Sequence, residues 1–162
     1  MKEMICFTFE AMIDVPVDFV FACLNEDKHV LQWNDFIVEN VYDGDEQDLK
    51  EGSIFITKQK VGKKIIELEG EYSKYNPPHA AEVKTSTKEG VGFTRYQLID
   101  KGSQTHFKVE VAMIPRNMYY SILTKTFKWS FKLMYTEQFE KFVEYTRMQY
   151  KMSKGLPIEL TP

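Results

Sequence analysis

The 162-residue chain predicts a single α+β domain spanning 1–162, an antiparallel meander of about seven strands followed by one long helix. Three observations carry this prediction. Apolar and polar residues alternate in short runs, and turn residues break those runs every dozen positions or so. Beyond Pro115 the apolar period changes from that of a strand to that of a helix. Near the start, an aspartate–proline corner separates a strand from two short helical stretches.

The elements follow in order. Ile5, Phe7, Phe9, Ala11 and Ile13 share one face of a first strand over 5–13. Pro16, with its fixed φ, suits the first position of a helix, and Asp18 lies in the first turn, where the helix dipole favours a negative charge. Phe19, Val20, Cys23 and Leu24 form its apolar stripe, Asn25 and Asp27 offer a break with a new cap, and "DKHVLQW" makes a second short helix. Strands are predicted over 36–42, 52–59 and 64–72, the last two joined by a compact turn at Val61-Gly62-Lys63. Further strands fall at 79–87, 91–99 and 104–113. No Pro or Gly interrupts 118–153, and Gly155 followed by Pro157 supplies the stop. A helix of that span is on the order of 50 Å long, more than a small sheet can cover.

Composition removes several function classes. A net charge of -3 opposes nucleic acid as the main partner, because phosphate binding needs a surplus of Lys and Arg. No apolar run reaches the roughly 20 residues that an integral membrane helix needs. Glu3 and Glu10 make the N-terminal run a strand and not a signal peptide, so the expected location is the cytoplasm. Cys6 and Cys23 belong to no CxxC pair and are expected as reduced thiols. An aromatic content of 14% with eight methionines points to a core or pocket built of large, adaptable side chains.

The stretch "IDVPVDFVFACLNEDKHVLQW" then adds a resemblance. Ile13, Pro16, Val20, Phe21, Leu24, Asp27 and Trp33 stand where the START-like (SRPBCC) superfamily has its opening pattern, and Gly52-Ser53 resembles the glycine that starts one of its strands. The likeness runs over roughly 4–150 and is to the polyketide cyclase/dehydrase and lipid-transport branch. One departure is Val15, where that family usually has a small or capping residue. The resemblance implies a helix-grip fold, in which a curved sheet wraps the long helix and leaves an apolar cavity. It implies binding of a small hydrophobic molecule, lipid-like or aromatic, with ligand transport as its use. It also leaves open a polyketide aromatase/cyclase or dehydratase, and a partner-binding module like the activators of the Hsp90 ATPase. A fold does not choose among these.

Residue patterns place candidates within that frame. Phe107, Val109, Val111 and Met113 alternate on one strand face and are expected to meet Phe127, Phe131 and Met134 on the long helix. Trp33 and Tyr72 join them as expected ligand-lining residues. Tyr96 and Arg95 have opposite parity, so one regular strand turns only one of them inward, and Tyr96 is the better fit. Arg95 and His79 are kept as polar contacts, His79 because it shares parity with Ala81 and Val83. Glu26-x-x-His29 is half of a metal motif with no second half, and Gly90-x-Gly92 joins two strands, so neither a metal nor a cofactor is expected. No nucleophile motif appears, so no catalytic residue is assigned. Finally, Ile122, Trp129 and Leu133 lie opposite the core stripe beside Lys125, Lys128 and Lys132, a surface suited to a second copy or to a membrane surface.

Overall fold

The computed structural model describes residues 1–158. Its chain runs β1 (Met4–Ile13), α1 (Val17–Asn25), α2 (Asp27–Trp33), β2 (Ile37–Tyr42), a short 3₁₀ turn (Glu46–Asp48), β3 (Ile54–Val61), β4 (Lys64–Asn76), β5 (Ala80–Ser86), β6 (Gly90–Asp100), β7 (Thr105–Pro115) and α3 (Met118–Ser153). The strands form one sheet in the order β1-β7-β6-β5-β4-β3-β2, antiparallel at every step. Strands β2 to β7 are therefore a plain meander. The first two strands in sequence are the two edges, and α1 with α2 crosses between them.

The corner works by burial. Val17, Val20, Phe21 and Leu24 recur at helical spacing and are buried, so α1 turns one stripe onto the core. Pro16 is the cap and not the first helical residue, and its carbonyl takes the amides of Phe19 and Val20. Val15 provides no side-chain cap; it is buried, and its carbonyl accepts the Thr105 hydroxyl at 2.8 Å. The chain thus ties the corner to β7 through the backbone of the residue that departs from the family pattern.

At the β3–β4 turn, Val61 pairs with Lys64, leaving the two-residue link Gly62-Lys63. Gly62 has φ +62° there, the left-handed region that such a hairpin turn favours for glycine.

The core is aromatic and sits under the second half of α3. The Phe142 ring lies 4.8 Å from Trp33 and 5.0 Å from Phe107, and Phe139 lies 6.1 Å from both Phe7 and Phe107. The Trp33 indole N–H donates to the Cys23 carbonyl at 2.9 Å, so a buried Trp has its partner. Asp14 accepts from the Arg147 Nε at 2.9 Å and fastens α3 to the corner.

One expectation is corrected here. Phe107, Val109 and Met113 do face α3, but across from Phe107 stand Phe139 and Phe142, and Met113 meets Thr124. Phe127 is 47% exposed. A helix wheel carries no information about axial position: α3 touches β7 at Thr124 and again at Phe139 and Phe142, and the expected partners lie between these contacts, with Phe131 and Met134 over the cavity.

Candidate functional site

Where the first half of α3 and the far strands diverge, the sheet and helix enclose a cavity of about 540 Å³. Its floor is the concave face of β2 to β6, and its roof is α3 from Phe131 to Phe139, with Trp33 and Phe21 at the closed end. The lip is the β3–β4 hairpin tip, where Val61 lines the space and yet stays largely exposed. This size falls in the range of small-molecule sites, about 300–1,000 Å³.

Local sequence explains the floor. Phe55 pairs with Gly70 on the neighbouring strand, and its ring occupies the space where a Cβ on Gly70 would come within 2.6 Å. A bare glycine therefore lets an aromatic ring lie flat on the sheet. Phe55, Tyr72 and Tyr75 continue as a run of rings at 5.3 and 5.0 Å. Each ring is held by its neighbours, which keeps the apolar wall in place.

Polar groups gather at one end. The Tyr72 hydroxyl donates to Asn25 Oδ1 at 3.0 Å, and Asn25 Nδ2 donates to the Tyr75 hydroxyl at 2.9 Å. Asp27 Oδ1 accepts from the Tyr42 hydroxyl at 2.8 Å and from Asn40 Nδ2 at 2.9 Å, while the Asp27 amide donates to Glu46 Oε1 at 2.6 Å. The expected helix cap at Asp27 is thus corrected: the cap position is Glu26, without a side-chain bond, and the Asp27 carboxylate reaches across to β2 instead. Burial pushes the Tyr42, Tyr72 and Tyr96 phenols well above their usual range, so they remain protonated.

Of the residues anticipated from sequence, the cavity brings together Trp33, Tyr72, Tyr96, Phe131 and Met134. Phe107, Val109 and Met113 lie beside it under α3, and Phe127 faces outward. His79 stands exposed in the β4–β5 turn. Arg95 is on the outer face of the sheet, where it bonds Glu3, Glu82 and Glu110. The polar end formed by Asn25, Asp27, Asn40, Tyr42 and Thr57 was not anticipated. Its signal was present: Asn40 shares strand parity with Tyr42, and Thr57 with Phe55, so polar residues occupy places on an apolar face.

Comparison with known proteins now has a geometry to meet. No family model matches the chain, and no curated protein matches it in sequence. Solved structures do match. Ara h 8.0201 is similar with TM-score 0.63 and 11% identity, over 90% of this chain and 98% of that one. A Nitrosomonas europaea protein is similar with TM-score 0.67 and 12% identity, over 91% and 95%. The fold is the START-like helix grip. Norcoclaurine synthase from Thalictrum flavum, solved in complex with dopamine and hydroxybenzaldehyde, has TM-score 0.60 at 11% identity over 88% and 84%.

In this START-like sheet the Arg95 cluster is structural. Hydrogen bonds from Arg95 hold the Glu3 carboxyl below the ordinary glutamate range. Burial works against the charge of Glu82, but bonds from Ser73 and Arg95 outweigh it and lower that carboxyl too. Both groups therefore add stability that is present above the unfolded glutamate pKa of about 4.3 and lost as pH falls through their lower folded values. Arg95→Met is expected to cost about 1–3 kcal/mol at neutral pH, since it strips a charged partner from a nearly buried carboxylate. Its stability should also fall less steeply than wild type below about pH 4.3. Urea titrations across that range check both.

The two thiols are poor nucleophiles. Burial raises Cys6, and burial raises Cys23 to about 11. His29 Nδ1 pairs with the Tyr145 hydroxyl at 2.9 Å, and burial holds its pKa below the ordinary value.

Proposed function

We propose that the protein binds a small hydrophobic molecule in the cavity between α3 and the sheet, and that it carries this molecule between sites. The observation behind the reading is the cavity itself: about 540 Å³, walled by aromatic and aliphatic side chains, with a lip open at the β3–β4 hairpin. Affinity comes from apolar enclosure at roughly 25 cal/mol per Å² buried. The fold hosts small aromatic molecules elsewhere, as the norcoclaurine synthase complex illustrates.

The cyclase reading needs an inward acid or base free to move protons. Asp27, the carboxylate on the cavity wall, is instead engaged by Tyr42 and Asn40, and the tyrosines are held protonated. Binding is thus the better-supported activity. Trp33 lies on the cavity wall, so in a Trp129→Phe variant, which leaves Trp33 as the single indole, an aromatic probe should shift or quench its fluorescence. A fluorescence unmoved by bound probe would place the ligand elsewhere.

For transport, a specific observation favours docking at an acidic membrane surface. Lys125, Lys128 and Lys132 on α3 and Lys60, Lys63 and Lys64 on the hairpin belong to two stretches, 111–136 and 53–66, that carry no acidic residue. Trp129 at 67% exposed, with Ile122 and Leu133, lies among the α3 lysines, and Val61 and Ile65 among those of the hairpin. Apolar groups ringed by lysine suit an anionic lipid surface. Vesicle co-sedimentation should show binding to anionic but not neutral vesicles. It should weaken with salt and lose strength in Trp129→Ala. A wild-type protein indifferent to lipid charge removes this reading and leaves ligand binding intact.

A further inference from the structure

Among the described residues, four tyrosines line the cavity, and they divide into two pairs. The Tyr42 and Tyr72 hydroxyls are engaged, donating to Asp27 and Asn25. The Tyr96 and Tyr135 hydroxyls have no hydrogen-bond partner among the described residues, and they are not sealed off either. The unpaired side-chain atoms that lack accessible surface are Asn40 Oδ1, Thr57 Oγ1 and Thr146 Oγ1, so the two phenol oxygens keep surface of their own. Burial raises both phenols, which marks how deep the two rings lie. Accessible surface at that depth, on residues of the cavity wall, faces the cavity.

The two hydroxyls belong to one region. Tyr135 and Phe139 stand at i and i+4 on one face of α3, and the Phe139 ring lies 6.3 Å from that of Tyr96. Tyr135 is also near enough that its charge would raise the Tyr96 phenol further. Strand β6 and helix α3 thus set two phenols on facing walls, and neighbouring rings hold both in place: Phe107 stacks on Tyr96, and Phe7 on Tyr135. A buried donor left unmade is costly, so two at one place favour a ligand that meets both.

We infer that the cavity takes an apolar molecule bearing a keto or ester carbonyl, whose oxygen accepts from the Tyr96 and Tyr135 hydroxyls together. This rests on the cavity-binding reading and names the ligand class for it. Protonated phenols donate, and a carbonyl oxygen offers two lone pairs in one plane. A ligand hydroxyl accepts as well, but it brings a further proton among Phe131, Met134 and Phe139, the apolar neighbours of Tyr135 on the cavity wall. A carboxylate brings a charge. The cation on the cavity lining is Lys60, at the hairpin lip, and the other charged group of the lining is the Asp27 carboxylate. An acid between the two phenols is therefore dehydrated without a counter-charge.

A matched set of probes tests the inference: para-pentylacetophenone, its hydrocarbon isostere 1-isopropyl-4-pentylbenzene, and para-pentylbenzoate, each titrated near neutral pH by displacement of Nile red. The ketone should bind at least about tenfold more tightly than the benzoate. The affinity of the ketone relative to its isostere should fall about two- to tenfold in Tyr96→Phe and again in Tyr135→Phe, the share of one net hydrogen bond each. The infrared carbonyl stretch of the bound ketone should lie lower in wild type than in either variant. Neither hydroxyl is paired in the free protein, so both variants should keep or raise the wild-type Tm. Benzoate as tight as the ketone, a relative affinity and a carbonyl stretch that ignore both substitutions, or a Tm lowered by either one overturns the inference and leaves the cavity reading standing. Failure of all three probes to bind the wild-type protein overturns both.

Discussion

Phe142→Ala should lower the stability of the protein by about 3–5 kcal/mol, the range for removing a fully buried aromatic ring. Phe142 is 0% exposed and stands between Trp33 and Phe107, with ring centroids at 4.8 and 5.0 Å. Neighbours from α2, β7 and α3 meet at this point, so no single element can move in to fill the void. The loss comprises the transfer free energy of the ring plus the uncollapsed cavity. Domains are typically stable by about 5–15 kcal/mol, so this one change removes a large share. Equilibrium unfolding in urea measures it. A cost below about 1 kcal/mol would mean that α3 does not seat on the sheet through this ring.

Val83→Trp should give the opposite pattern, with little stability lost and ligand binding abolished. Val83 is the β5 neighbour of Tyr72 and Thr94, in the middle of the cavity floor. In a filled core an added indole costs about 1–3 kcal/mol through strain. Over a void of about 540 Å³ it has room, so the cost should stay under about 1 kcal/mol. The same indole occupies the ligand's space, and affinity for apolar probes should drop at least tenfold, or about 1.4 kcal/mol. Strong destabilisation would indicate that the space is closed in solution. Retained binding would put the ligand outside the cavity.

The contrast between these two sites also shows what the sequence encodes. Period-2 alternation and turn residues are local signals, and with them the seven strands, their hairpins and the 118–153 helix can be read directly. Strand parity likewise separates Tyr96, on the cavity wall, from Arg95, on the outer face. What parity and period lack is registration between distant elements. The stripe on α3 has no marker for which of its turns lies over Phe107, so Phe139 and Phe142 hold the place expected of Phe127 and Phe131. The polar end was hidden for a related reason. Asp27 reads locally as a helix cap, and only the crossing from α2 to β2 turns it into the anchor of Asn40 and Tyr42. The 3₁₀ turn at Glu46–Asp48, which brings Glu46 to the Asp27 amide, has no periodicity to announce it.

The most direct test of the cavity is heat unfolding with and without an apolar ligand. At a hundred times its Kd, a ligand that binds only the folded state adds about 2.7 kcal/mol. For a chain of this length that is a rise in Tm of roughly 5–10 °C. The expected result is a rise of that order for wild type with neutral aromatic or aliphatic probes, and none for Val83→Trp. A wild-type Tm unmoved across a broad panel of lipids and aromatic compounds would contradict the account.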